Sequence, residues 1–287
     1  MMHFLGTCAA DGMPNPFCIC KLCQDARKHP ARQRFRSMFL LDEKNLIDCG
    51  PDLNAACAKS GVELSMLENI YITHTHSDHF CISNSGLMEM STTRRKEPID
   101  LFLSEAAYER AVMLLHAFGK PIRQYNEAGH MGNELIRLHP VRVGEAFEQD
   151  GYRILPVDTT HRVSKAETAI NFLFEKDGFK LLYACDTGYY QPETIELLRN
   201  ARIDVLVLEA TWGNRTDTST ASHLNCEAYL DMLDILLKAD IIRPDTRCYA
   251  SHINHKHDLN HDQMQQWFDE HSKMSVTVAW DGLVVER

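Results

Sequence analysis

The chain has 287 residues, 40 of them acidic and 30 basic, for a formal net charge of −10. That balance argues against a protein that coats nucleic acid through a strongly basic surface. No apolar run approaches the roughly 18 residues that a membrane-spanning helix needs.

The length permits a full core without disulfide staples. The start, Met1-Met2-His3-Phe4-Leu5-Gly6-Thr7, lacks the basic and apolar regions of an export signal. The 10 cysteines are therefore expected to be reduced thiols of a cytoplasmic protein, buried or held for metal. No repeat, low-complexity tract or Pro/Gly/Ser linker divides the sequence, so residues 1–287 read as a single domain. Short apolar runs alternate with amphipathic stretches, the α/β pattern. Taken in order, residues 37–41 and 45–50 are predicted strands joined by the polar Asp42-Glu43-Lys44 turn. Residues 69–73 are a strand that runs into a histidine-rich loop, and residues 104–117 a helix. Residues 152–157, 169–175 and 180–185 are three strands, the last two turning about Asp177-Gly178. A buried strand at 205–208 precedes an amphipathic helix at 226–237. Residues 246–250 form a strand and 262–270 a helix. Residues 275–279 and 283–286 read as a terminal hairpin about Asp281-Gly282. This count suits two sheets with helices packed outside. Asp48, His74, Asp186, Glu209 and His252 each fall at or just beyond the end of a predicted strand, where a rigid sheet fixes a side chain with little play.

The segment Thr73-His74-Thr75-His76-Ser77-Asp78-His79 gathers three imidazoles and a carboxylate. Zinc and similar ions accept neutral imidazole nitrogen and carboxylate oxygen, and a tight loop can present alternating side chains to two neighbouring ions. Without an ion, such a cluster would repel itself on protonation. Four ligands do not complete two ions. His161, Asp186 and His252, each following a predicted strand, are the candidates that would.

In this order, His74-x-His76-x-Asp78-His79 followed by His161, Asp186 and His252, the chain resembles the metallo-β-lactamase superfamily. Asp48, in Leu46-Ile47-Asp48-Cys49-Gly50, is similar to the first, structural Asp of that family. The resemblance implies an αββα four-layer sandwich with metals at the sheet ends. Position by position it implies that His74, His76 and His161 hold one ion, that Asp78, His79 and His252 hold a second, and that Asp186 bridges both. A carboxylate at the bridge, where β-lactamases often place Cys, is similar to the phosphodiester hydrolases of the superfamily. One local departure is that Phe80-Cys81-Ile82-Ser83 follows His79, where the family often has a small or apolar residue and then Gly.

A second constellation, Phe17-Cys18-Ile19-Cys20-Lys21-Leu22-Cys23, lies in a loop-like segment at 8–30. Three thiolates in a Cys-x-Cys-x-x-Cys pattern suit a closed tetrahedral zinc site that lacks one ligand. By spacing, Cys8, His29 and a distant His are candidates for the fourth. This cluster together with the later His252-x-x-His255 resembles the phosphoribosyl cyclic-phosphate phosphodiesterases of the carbon–phosphorus lyase pathway and their relatives. That resemblance implies His255 as the fourth ligand of one structural zinc, ahead of His257 and His261.

His223, in Ala221-Ser222-His223-Leu224-Asn225-Cys226-Glu227, precedes a predicted helix that Ser222 or Asn225 would cap. Phosphodiester hydrolysis needs a proton for the leaving alkoxide, and His supplies one near neutral pH. A His in this region has that role in phosphodiesterase branches of the superfamily, which implies it for His223. Glu209 is a candidate partner for a metal-binding His, and Trp212 for a wall of the substrate pocket. Arg162, Arg94 and Arg95 are candidates for phosphate or sugar contacts. The resemblance thus implies a metal-dependent hydrolase that opens a small cyclic phosphodiester with a hydroxide held by two divalent ions, zinc or manganese. Asp78, Asp186 and His223 are its expected catalytic residues. The expected partner is a small-molecule substrate rather than nucleic acid or membrane, and a homodimer is compatible with the sequence. Three readings compete. A tRNA 3′-end endonuclease is opposed by the net charge and the lack of a long Gly/Lys-rich arm. A di-iron oxidoreductase or sulfur dioxygenase would be told apart by its iron. A non-catalytic protein of pyrroloquinoline-quinone biosynthesis, which carries the same Cys cluster, is opposed by the full ligand set.

Overall fold

The computed structural model describes residues 1–93 and 97–287, so Arg94 and Arg95 lie outside the described residues. The strands among them are β1 (Met2–Gly6), β2 (Met38–Asp42), β3 (Asn45–Ile47), β4 (Asn69–Tyr71), β5 (Ile99–Ser104), β6 (Arg123–Gln124), β7 (Met131–Gly132) and β8 (Ile136–Val141). They continue as β9 (Phe147–Gln149), β10 (Tyr152–Arg162), β11 (Thr168–Lys176), β12 (Phe179–Ala184), β13 (Ile203–Glu209), β14 (Ile242–Ser251), β15 (Val276–Val278) and β16 (Val284–Val285). The α-helices are α1 (Lys21–Lys28), α2 (Leu53–Ser60), α3 (Ser85–Glu89), α4 (Glu105–Ala117), α5 (Pro192–Leu198), α6 (Cys226–Lys238) and α7 (His261–His271).

The strands form two sheets, one in the order β16-β1-β2-β3-β4-β5-β8-β7-β6 and the other β15-β14-β13-β12-β11-β10-β9. Alternating side chains of each sheet serve two cores. Phe39, Tyr71, Phe102, Phe172, Phe174 and Tyr183 interlock between the sheets. Leu40, Leu46, Ile70 and Leu101 face outward beneath Ala56 of α2 and Ala107, Ala111 and Leu115 of α4. Leu182, Leu206 and Leu208 do the same beneath Leu198, Tyr229, Met232 and Phe268 of α5, α6 and α7. The result is the four-layer αββα sandwich. Each fully buried large apolar side chain contributes on the order of 1.5–3 kcal/mol, so the aromatic layer is the main bond between the sheets.

The helices start where local chemistry demands it. Ser104, Asn225 and Asn260 accept backbone N–H groups of α4, α6 and α7 respectively, as N-cap residues do. Cys20 caps α1 through its sulfur.

The terminal hairpin expected about Asp281-Gly282 does not form. β15 pairs parallel with β14, and β16 pairs antiparallel with β1 in the other sheet. The turn closes on itself, Leu283 N donating to Trp280 O at 3.1 Å, and its residues also bond to the N-terminal region. Gly282 N donates to Phe4 O at 2.7 Å and Phe4 N to Leu283 O at 2.9 Å. The buried Asp281 carboxylate accepts from Phe35 N at 2.6 Å and from Thr7 Oγ1 at 2.8 Å. The turn is real, but its flanks belong to different sheets.

Gly50 marks a close approach that positions the site. Cys49 N donates to His79 O at 2.7 Å and Cys81 N to Cys49 O at 2.9 Å, so residues 48–50 lie against the histidine loop. A Cβ at Gly50 would stand 2.0 Å from the carbonyl oxygen of Asp78. Gly50→Ala is therefore expected to destabilise the fold by about 1–3 kcal/mol. A lowered urea midpoint would show it, and an unchanged midpoint would contradict the contact.

Candidate active site

The candidate residues gather where strands of both sheets end. Asp48 follows β3, His74 follows β4, Asp186 follows β12, Glu209 closes β13 and His252 follows β14. Asp48, Asp186 and His252 turn the chain with φ of 60°, 57° and 55°. Left-handed backbone at a residue other than Gly costs roughly 1–3 kcal/mol and persists where its surroundings over-determine it. Here it bends the chain away from the strand direction and points these three side chains across the gap between the sheet ends.

The structure brings His74, His76 and His161 together. His76 Nδ1 lies 2.9 Å from His74 Nε2 and 3.2 Å from His161 Nε2. One imidazole lone pair cannot receive two N–H groups in its plane. Two nitrogens bound to a tetrahedral zinc at ordinary bond lengths stand about 3.3 Å apart, close to the spacing observed. Burial lowers the pKa of both His74 and His161, which keeps their lone pairs free for a cation.

A second group joins Asp78, His79, Asp186 and His252. His79 Nε2 lies 2.6 Å from Asp186 Oδ2, 3.1 Å from Asp78 Oδ2 and 3.3 Å from His252 Nε2. Asp186 Oδ2 is also 3.5 Å from His74 Nε2, and its Oδ1 is 3.3 Å from His252 Nε2. Asp186 therefore stands between the two groups. Its Oδ1 is buried without a hydrogen-bond partner, an arrangement that costs a carboxylate dearly unless a cation takes the place. The donor set thus fits a pair of divalent ions.

Three of the imidazoles, those of His79, His74 and His252, are steered from behind. Asp48 Oδ2 lies 2.6 Å from His79 Nδ1, and the same carboxylate accepts from Thr73 N at 2.8 Å. Thr73 Oγ1 is 3.1 Å from His74 Nδ1, and Thr211 Oγ1 is 2.9 Å from His252 Nδ1. Such outer partners fix the ring orientation and the nitrogen that faces a metal. The residues after His79 take a path of their own. Phe80 is buried and bridges to Cys49, and residues 82–84 form a short 3₁₀ turn whose Asn84 bonds the carbonyls of Cys49 and Gly50. Phe80 is a large apolar anchor in the place next to His79, and Cys81 rather than Gly follows it.

His223 borders these groups. Its Nδ1 is 2.9 Å from Glu209 Oε1 and 3.4 Å from Asp186 Oδ1. Burial opposes its protonation, but Glu209 and Asp186 override this and raise its pKa to about 9. Glu209 is wholly buried and also accepts from Thr187 N at 2.7 Å, Leu224 N at 3.2 Å and Thr211 Oγ1. His223 faces a cleft of about 360 Å³ with His76, Asp78, His161, Asp186 and His252. Trp212, Asn254, Asp11 and Lys256 form other parts of its wall. Trp212 is thus where the sequence placed it. Arg162 is exposed and does not line the cleft.

The thiols of Cys18, Cys20 and Cys23 meet His255. His255 Nδ1 is 3.6 Å from Cys18 Sγ and 3.5 Å from Cys20 Sγ, against about 3.5 Å for sulfur and nitrogen sharing a tetrahedral zinc. Burial pushes the Cys23 thiol up to about 12, so its thiolate form calls for a nearby cation. The other candidates lie elsewhere. Cys8 is buried in backbone bridges to Arg36 and Ile253, and His29 pairs with Asp25 on the surface. The His257 ring lies where a Cβ on Gly213 would go, and His261 Nδ1 lies 3.0 Å from Arg34 Nη2.

The sequence reading missed Thr211, Glu167 and the Asp11–Lys256 ion pair, whose charged atoms are 3.2 Å apart at the cleft. Thr211 sits two residues past a singled-out Glu, a weak signal at most. Glu167 lies in a polar turn and gave none.

The family profile described as a beta-lactamase superfamily domain matches residues 44–253. The ribonuclease Z of Archaeoglobus fulgidus is 31% identical over 129 residues, which are 45% of this chain and 38% of that protein. The chain spans about half the length or less of the first curated relatives it matches. Among solved structures, a diphosphatase of the PhnP family superposes with a TM-score of 0.73 at 23% identity, over 100% of this chain and 97% of that one. Zinc-bound PqqB from Methylobacterium extorquens superposes with a TM-score of 0.74 at 17% identity, over 100% of this chain and 99% of that one. At these identities the two structures establish the fold.

Proposed function

The chain belongs to the beta-lactamase superfamily, and from that premise we propose that this metallo-β-lactamase-fold hydrolase is a phosphodiesterase acting on a small, cyclic phosphodiester. The observation that carries the reading is the His223–Glu209 pair set beside a carboxylate, Asp186, that stands between two clusters of metal-ligand type.

His74, His76 and His161 would hold one divalent ion, Asp78, His79 and His252 the other, and Asp186 both. When bound, such a pair supplies a water acidified to near neutrality and positive charge for the phosphoryl oxygens. The remaining work falls to the chain. Asp48, Thr73 and Thr211 hold His79, His74 and His252 in register. Glu209 engages Nδ1 of His223 and stabilises the charged ring, which leaves Nε2 for the cleft. His223 Nε2 donates its proton to the leaving oxygen as the P–O bond breaks, so that no free alkoxide is expelled. Cys18, Cys20, Cys23 and His255 would hold one zinc that ties the N-terminal loop to the segment following His252.

The likeness of this chain to curated proteins named ribonuclease Z favours a second reading, cleavage of precursor tRNA. The net charge of −10 works against it, because tRNA binding draws its affinity from cations that neutralise phosphates. A panel of four substrates offered to zinc- or manganese-loaded protein separates the two. It comprises a ribose 1,2-cyclic phosphate, a 2′,3′-cyclic nucleotide, an aryl diester and a precursor tRNA. Turnover of the cyclic phosphates without tRNA cleavage is the expected result. Cleavage of tRNA at its 3′ end would favour the second reading, and inertness toward every diester would overturn both.

A further inference from the structure

We infer that Glu167 is a positioning residue for the three-histidine half of the centre, an inference that rests on the reading of that half as a metal site. Glu167 is 2% exposed, and each of its carboxylate oxygens is engaged by one residue. Oε1 accepts from Thr75 N at 2.7 Å and Oε2 from Thr75 Oγ1 at 2.5 Å. Thr75 is the residue between His74 and His76.

The backbone of Glu167 ties down the remaining histidine. Its carbonyl accepts from Val163 N at 3.0 Å and Ser164 N at 3.1 Å. Its own N–H donates to Ser164 Oγ at 3.1 Å. These bonds close the turn between β10 and β11, which begins just past His161. One residue thus grips the His74–His76 loop with its side chain and the His161 turn with its main chain. The convergence of three imidazole nitrogens depends on those two segments keeping their distance.

Stability of the fold does not account for this carboxylate. Among the described residues, the cation paired with it is Arg110, whose Nη1 is 3.8 Å away on a half-exposed side chain. Burying a carboxylate so loosely paired costs free energy, and an amide or apolar group at a turn would avoid that cost. Its hydrogen bonds go to the histidine loop, and that is where its benefit lies. Removing an outer partner of a metal ligand typically weakens metal affinity 10- to 100-fold.

The test is the release of zinc from loaded protein to a chromophoric chelator, with thermal melting as a control for folding. In Glu167→Ala, one ion of the histidine and aspartate clusters is expected to bind about 10- to 100-fold more weakly. The thiol-bound ion stays as in the unsubstituted protein. With saturating metal restored, kcat falls while KM holds. Glu167→Gln is expected to keep near-normal affinity, since its amide oxygen accepts from Thr75 N and its amide N–H₂ donates to Thr75 Oγ1. Unchanged zinc release from Glu167→Ala would overturn the inference. So would equal losses in Ala and Gln, which would assign the effect to charge rather than to placement. An unsubstituted protein that retains no zinc at the histidine cluster would instead overturn the metal centre, and this role with it.

Discussion

Asp186→Asn is expected to lower turnover by about three powers of ten or more while the protein stays folded. A shared ion pair is worth several kcal/mol of charge stabilisation in the transition state, and about 1.4 kcal/mol corresponds to a tenfold change in rate. Asp186 is the carboxylate that reaches both groups, with Oδ2 at 2.6 Å from His79 Nε2 and 3.5 Å from His74 Nε2. An amide keeps the shape and loses the charge, so it cannot serve as an anionic bridge. Asn is the informative substitution because it tolerates the left-handed backbone at this position, φ 57°, better than other non-glycine residues. Ala would mix backbone strain with the loss of the ligand. Elemental analysis should show depleted metal at the histidine and aspartate clusters, with the thiol-bound zinc retained. Full turnover in Asp186→Asn would dispose of the two-ion reading.

The second large effect falls on His223. His223→Ala is expected to cost roughly 10²- to 10⁴-fold in kcat with an alkoxide leaving group, the range for losing a general acid. The cost should shrink sharply with an aryl diester, whose leaving group departs without help. That dependence on the leaving group separates a proton donor from a residue that merely supports the site, because a structural loss would slow both substrates alike. Glu209→Gln is a less clean probe. Glu209 also holds Thr187, Leu224 and Thr211, and Thr211 in turn holds His252. Equal losses on both substrates would remove His223 from the proton-donor role.

Much of the site was readable because its ligands are strand-end residues of unusual type. Asp48, His74, Asp186 and His252 interrupt apolar runs with side chains that a surface loop has no reason to concentrate. The thiol cluster is compact in sequence for the same chemical reason, and Cys20 serves it twice, as a candidate ligand and as the cap of α1. The connection of that cluster to His255 came from family resemblance, since no local pattern links residues 235 apart. β1, β5 and β8 escaped the reading. β5 and β8 have mixed alternation, with Asp100, Arg137 and His139 forming a polar network among apolar neighbours. The terminal segment misled because a turn signal reports the turn and says nothing of which sheet each flank will join. Glu167 was invisible for a related reason. Its partner Thr75 is 92 residues away, and an acidic residue in a polar turn is the commonest of surface features.

The pairing of Met2 with Val285 and of His3 with Val284 has a bearing on synthesis. Residue 2 must wait for residue 285 to be made before its strand is flanked on both sides. At about 5–20 residues per second, that wait is roughly a quarter of a minute to a minute. Throughout it the outer rim of β1 displays backbone groups without their eventual neighbour, and such a rim is a template on which another chain can add a strand. Nascent chains on one messenger carry identical rims side by side. The pace of translation and the spacing of ribosomes thus bear on the yield of this protein.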